Sequence, residues 1–314
     1  MTCKSIFLRL LPITAGLLLA ACTADGAQGP RSASEAVDTD VATTPVRDVD
    51  PALWAVSDGD TTIYLFGTIH VLKPGLGWFD DAVRETFDSS SELVLEMLEP
   101  EPSEMMALVS RLAIDQEGKR LRDRLSAGDR RAFDKSLAML DMAPDALDQM
   151  EPWMASVSLS MSALQRAGFD SSTGVETALT AAAKASGKTI IGLETPEEQL
   201  SLFDRLPMAN QLDYLNLTIR KLHETRSGMD RMIAIWSAGK PDGLAKLMNE
   251  GIEDPLIYRQ LLVERNLRWA DWIGKRMEHP GTVFMAVGAA HLAGRDGLIA
   301  TLAERRMDVR RIAY

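Results

Sequence analysis

Two segments near opposite ends of the chain finish in the same way. One reads Thr62-Ile63-Tyr64-Leu65-Phe66-Gly67-Thr68-Ile69-His70, the other Thr282-Val283-Phe284-Met285-Ala286-Val287-Gly288-Ala289-Ala290-His291. Each is an apolar β-prone run, then a glycine, two small or apolar residues and a histidine. The physical sense is direct. A buried strand runs to its C-terminal end, the glycine lets the chain turn sharply, and the histidine is delivered to the edge of the sheet. In α/β proteins the crevice outside the carboxyl ends of the strands is where ligands bind. Two neutral imidazoles meeting there can share one metal ion; equally, each can be a structural histidine that satisfies a backbone partner. The His-Glu-x-x-His helix of zinc proteases does not occur in the sequence.

Between and around these segments the pattern alternates strands with helices. Leu53 to Val56 and Thr62 to Phe66 flank Asp58-Gly59-Asp60, a hairpin signal. A short helix is expected from Asp80 to Phe87, then a buried strand at Leu93-Val94-Leu95. Residues from about 103 to 168 read as helices, with Ser126 as a cap and Pro144 and Pro152 as starts. Met139, Met142, Met150, Met154 and Met161 recur there on apolar faces and read as adaptable core. Thr173 to Ser186 predicts a further helix, leading into a strand at Lys188 to Ile191 that ends at Gly192-Leu193-Glu194. Helices punctuated by Pro207, Pro241 and Pro255 fill about 197 to 277. A helix from Gly294 to Arg305 and an edge strand from Val309 to Ile312 close the chain. The expected fold is α/β (α+β): a central mixed β-sheet flanked by helices, with a large helical insertion between the two Gly-x-x-His motifs.

The N-terminus predicts an address rather than a fold. Lys4 and Arg9 precede an apolar stretch from Leu10 to Ala21 that ends in Leu19-Ala20-Ala21-Cys22. A helix this short does not cross a hydrocarbon core of roughly 30 Å, but it suits a signal-peptide core. Small residues before the cysteine resemble the lipobox of bacterial lipoproteins, which implies cleavage after residue 21 and acylation of Cys22. Residues 22–50 are rich in Ala, Ser, Thr, Asp, Gly and Pro and read as a disordered tether, with the folded domain over 51–314. This organisation places the domain in the periplasm of a bacterial cell envelope, and Thr23 favours outer-membrane sorting. Cys3 and Cys22 are the only two cysteines, so a disulfide framework and a cysteine zinc site are excluded. Lys and Arg number 34 against 45 Asp and Glu, a formal net charge of −11. That balance argues against nucleic acid as a partner.

The motifs GTIH and GAAH, with Leu93-Val94-Leu95-Glu96 between them, resemble those of the TraB/GumN family, related to the Tiki membrane-anchored metalloproteases. Gly192-Leu193-Glu194-Thr195 with Glu198-Gln199-Leu200, and Glu264-Arg265-Asn266, match further pieces. The resemblance implies a metal-dependent, peptidase-like hydrolase acting on a peptide or protein, with a divalent ion (Mn, Co or Zn) held by His70, His291 and Glu96. Glu96 is then a metal ligand or the general base. Arg265 is a stabiliser of developing charge or the partner of Glu194 or Glu264. Glu194, Asn266, Gly67 and Gly288 support these groups or the substrate. Fold relatives that include a haem-binding lipoprotein, and the GumN name itself, suggest an envelope ligand-binding or exopolysaccharide-accessory lipoprotein as the alternative. His223, beside Glu224, and His279, before Pro280, read as surface histidines.

Overall fold

The computed structural model describes residues 46–249 and 254–313. The signal segment, Cys22 and most of the expected tether lie outside the described residues. Residues 46–50 do not behave as tether: β1 (Arg47–Asp48) pairs in parallel with β4 (Leu76–Gly77), and Val49 is buried in the core. No described helix is long and apolar enough to cross a membrane.

Six further strands form one mixed sheet: β2 (Leu53–Ser57), β3 (Thr61–Thr68), β5 (Glu92–Met97), β6 (Thr189–Glu194), β7 (Gly281–Gly288) and β8 (Val309–Ile312), in the order β6-β5-β7-β3-β2-β8. The hairpin forms as expected, with β2 antiparallel to β3. The four strands β6, β5, β7 and β3 are mutually parallel. Parallel strands require crossovers, and the helices between them supply these and cover the sheet. Phe66, Phe284, Leu93 and Leu95 point to one core, where Phe87 and Trp236 pack on them. Ile63, Leu65, Val94, Val283, Met285 and Val287 point to the other, against Trp269, Ala270, Ile273, Leu298 and Leu302. Burial on both faces explains why these strands read as continuous apolar runs. The helices Leu121–Arg124, Ala127–Met139, Pro152–Arg166 and Met208–Lys221 carry a third core around Phe133, Leu159 and Leu215.

Ser126 caps its helix by accepting the Asp129 N–H, and Pro152 opens the next one. Three expectations need correction. Pro144 opens a run of turns and not a helix. Met139 is exposed, while Met154 and Met161 are core. The last helix spans Leu298–Glu304, because Gly294 takes φ +87° and residues 293–297 turn instead.

The indole of Trp236 donates from Nε1 to the Gly67 carbonyl at 2.7 Å in a buried setting. It thereby ties the helix Thr225–Ser237 to the end of β3. Trp236→Phe should lower stability by about 1–3 kcal/mol, because it strands that carbonyl without a donor. A denaturant titration at unchanged slope checks this.

Candidate functional site

The parallel strands β3, β5, β6 and β7 all end on the same edge, and the functional side chains gather there. β3 pairs with β7 so that Thr68 lies opposite Gly288. His70 follows β3 by two residues. His291 sits in the short helix Ala289–Leu292 immediately after β7. Glu96 and Glu194 stand at the ends of β5 and β6. His70, Glu96, Glu194, Arg265, Asn266 and His291 are all buried, with exposures between 0% and 9%.

Arg265 lies at the centre. It is carried by the helix Glu264–Arg276, whose Trp269, Ala270 and Ile273 fix it against the sheet. Its Nη2 donates to Glu96 Oε2 at 2.5 Å and to Glu194 Oε2 at 2.7 Å. Its Nε donates to Glu194 Oε1 at 2.9 Å, and its Nη1 lies 2.8 Å from His291 Nε2. Gln199 donates to both carboxylates, at 3.3 Å to Glu96 and 3.1 Å to Glu194. The Gly288 N–H donates to Glu96 Oε1 at 2.6 Å. That approach explains the glycine, since a Cβ on Gly288 would stand 2.9 Å from the same oxygen. Gly67 is similarly confined, its notional Cβ lying 3.0 Å from the Ala289 Cβ. Of the two ion-pair partners considered for Arg265, Glu194 is the one found; Glu264 pairs with Arg259 instead.

The two histidines sit in opposite electrostatic settings. His291 Nδ1 lies 2.7 Å from Asn266 Oδ1, and Asn266 Nδ2 donates to the Asp296 carbonyl at 2.8 Å. With Nδ1–H donated to the amide oxygen, Nε2 presents its lone pair to Arg265. Burial, then the neighbouring guanidinium, pulls the His291 pKa down to about 3, so the ring is neutral. His70 Nδ1 lies 2.6 Å from Glu176 Oε1. Burial opposes protonation of His70, but the Glu176 carboxylate, helped by Glu96, outweighs it and raises the pKa to about 8. Burial alone would raise the Glu96 pKa. Arg265, His291, His70 and the Gly288 N–H reverse that and hold it down to about 2.

These shifts have opposite consequences for stability. The His70 contribution is complete below its ordinary pKa of 6.5 and is lost as pH rises through about 8. The Glu96 contribution is complete above its ordinary value of 4.5 and is lost as pH falls through about 2. Unfolding midpoints should therefore decline between about pH 6.5 and 9, and His70→Ala should flatten that decline.

The geometry of the donor set opposes a shared divalent ion. His291 Nε2 stands 4.0 Å from Glu96 Oε1, but the ligand atoms of His70, His291 and Glu96 do not all lie within 4.8 Å of one another; among the described residues only the exposed Asp48, Asp50 and Asp81 form such a group. Both Glu96 oxygens are taken by Gly288, Arg265 and Gln199, and a guanidinium nitrogen faces His291 Nε2. As folded, this trio does not fit one ion, and the resident cation between Glu96 and His291 is Arg265.

The edge thus brings together His70, His291, Glu96, Glu194, Arg265, Asn266, Gly67 and Gly288. Sequence reasoning gave no role to Glu176, which meets His70, or to Gln199, which bridges the two glutamates. It also missed Trp269, whose ring lies 4.4 Å from that of His291 and beneath the Arg265 guanidinium. Gln199 had a signal, because Thr195 and Glu198 form a capping box that fixes its helix just past β6. Glu176 had none, since its spacing from His70 follows only from the fold. His223 and His279 are exposed, as expected.

Among curated proteins, the chain is 23% identical to the uncharacterized protein YbaP of Escherichia coli (strain K12) over 248 residues, covering 79% of this chain and 90% of that protein. It is 20% identical to an uncharacterized protein of Treponema pallidum (strain Nichols) over 271 residues, 81% of this chain and 80% of the relative. No solved structure matches. The model of the TraB/PrgY/gumN family matches residues 52–311, from the first strand of the sheet to the last and across every residue of the buried cluster. The chain belongs to the TraB/PrgY/gumN family.

Proposed function

We propose that this protein is a peptidase-like hydrolase, lipid-anchored through Cys22 in a bacterial cell envelope, and that its reacting centre is the edge where β3, β5, β6 and β7 end. One observation carries the reading. Two glutamates, an arginine and two histidines in opposite electrostatic settings are buried together at the ends of four parallel strands. Groups with strongly perturbed protonation cluster where proton transfer is used. Buried ion pairs are not needed for stability, which apolar residues supply as well.

His70 is the group suited to move a proton. Its Nδ1 faces the Glu176 carboxylate at 2.6 Å, so Nε2 is the nitrogen left for proton transfer. In its neutral form, Nε2 accepts a proton from a water attacking a peptide carbonyl. The resulting imidazolium, stabilised by Glu176, then gives that proton to the departing amine. Arg265 keeps Glu96 ionised and His291 neutral, so the charges around that proton stay fixed through the reaction. Turnover of a mixed peptide library by the purified full-length chain, with and without chelator, tests the reading. New peptide N-termini are expected, and their absence under every metal condition overturns it. For the anchor, Cys22→Ser should lose its acyl mass and leave the membrane fraction.

A second reading keeps the divalent ion, held by His70 and His291. One observation favours it: Glu176 and Asn266 hold the two Nδ1 atoms as outer partners hold metal-bound imidazoles. It requires Arg265 to leave His291. Stoichiometric Mn, Co or Zn in the wild-type chain, absent from both His70→Ala and His291→Ala, would establish it.

A further inference from the structure

Glu176 is the second residue of the helix Val175–Ser186, on a part of the chain remote in sequence from His70. Its contact with His70 is built by the backbone on either side. The Val175 N–H donates to the Ile69 carbonyl at 3.1 Å, and the Asp170 N–H to the Leu72 carbonyl at 3.2 Å. Thr173 Oγ1 donates to the Leu72 carbonyl at 2.7 Å. Between them, Gly174 lies so close to the His70 carbonyl that a Cβ would stand 2.3 Å from its oxygen. Residues 170–176 are thus clamped onto the turn that follows β3, and the clamp sets the carboxylate against the imidazole. Both side chains are about nine-tenths buried. A carboxylate in that place costs desolvation that a leucine or glutamine would avoid, so its presence needs a use for the charge.

We propose that Glu176 is the positioning residue of His70: its carboxylate accepts the Nδ1–H, fixes the ring orientation and leaves Nε2 as the lone-pair nitrogen. The carboxylate acts as the third member of hydrolytic triads does, by setting the tautomer of the base without itself exchanging a proton. The role deepens the proposed hydrolase function and rests on it for its catalytic meaning, but the tautomer itself does not depend on turnover.

The test uses the full-length chain labelled with 15N-histidine, recorded above pH 9, where the His70 ring is neutral. The sequence contains four histidines, so the His70 signals are identified by their loss in His70→Ala. The wild type should show His70 as the Nδ1–H tautomer. Glu176→Gln, which keeps the size and can turn its amide N–H toward Nδ1, should shift the ring toward the Nε2–H form. Glu176→Asp should restore part of the wild-type signal, and it serves alone should Glu176→Gln not fold. In the peptide assay Glu176→Gln should lower kcat about 10–100-fold with KM unchanged. A wild-type His70 in the Nε2–H form, or a tautomer that Glu176→Gln leaves unaltered, overturns the proposal. A tautomer set by Glu176 in a chain that cleaves nothing would support the positioning role and overturn the hydrolase reading instead.

Discussion

Arg265→Met should cost about 3–5 kcal/mol of folding stability at neutral pH, the largest loss expected from any single substitution at the site. The guanidinium is 1% exposed and neutralises two carboxylates that are nearly as deeply buried. Removing it leaves Glu96 and Glu194 sharing only Gln199 between them. Arg268, half-exposed and 3.2 Å from Glu194, offsets one charge in part. Glu96 keeps the Gly288 N–H and the charge of His70 but loses its guanidinium contact outright, so the larger penalty falls on it. Its pKa should climb well above the about 2 that Arg265 helps maintain, and the variant should regain stability as pH falls toward 4. The same measurement separates charge from packing. The triple variant Glu96→Gln, Glu194→Gln, Arg265→Met removes all three charges and should recover most of the loss. A single variant as stable as wild type, or a triple variant no better than the single, would show that the network is not held by charge compensation.

His70→Ala should reduce peptide cleavage by about 10²–10⁴-fold, the span by which a positioned general base contributes. The loss should appear in kcat, because the imidazole works on the attacking water and not on a substrate group. The substitution also strands the buried Glu176, so a moderate fall in stability accompanies it. Rates are therefore compared at temperatures where circular dichroism shows both proteins folded. A drop confined to KM would mean that His70 binds substrate and does not transfer the proton.

The strands that position the site could be read directly because both sheet faces are buried. Continuous apolar runs such as Thr62 to Phe66 and Thr282 to Val287 leave few alternatives, and a glycine before a histidine marks where such a run must turn. Glu96, Glu194, His70 and His291 follow from that reading, since each stands at or just past a strand end. What could not be read is which of them touch. The sequence left Arg265 with a choice between Glu194 and its own neighbour Glu264, and only the placement of its helix over the strand ends decides for Glu194. Glu176 was hidden for the same reason: a glutamate in the first turn of an Ala-rich helix also favours the helix dipole, so its position carried a sufficient local explanation. Met139 misled because it was grouped by residue type: it is the last residue of its helix, and it lies off the face that Phe133, Ser136 and Leu137 bury. The turn at Gly294 to Gly297 replaced a helical start because Asp296 is engaged there, by its carbonyl with Asn266 and by its carboxylate with Tyr258.

The groups at the strand ends are proposed to form one reacting centre. The most direct test is the cleavage rate of a peptide library by wild type, His70→Ala, His291→Ala and the double variant, all full-length and folded. Residues that act as a unit do not lose activity additively. Each single variant should lose at least about 10²-fold, and the double variant should lose little more than the worse single one. Cleavage that survives both substitutions, or two losses that multiply in the double variant, would contradict a single centre.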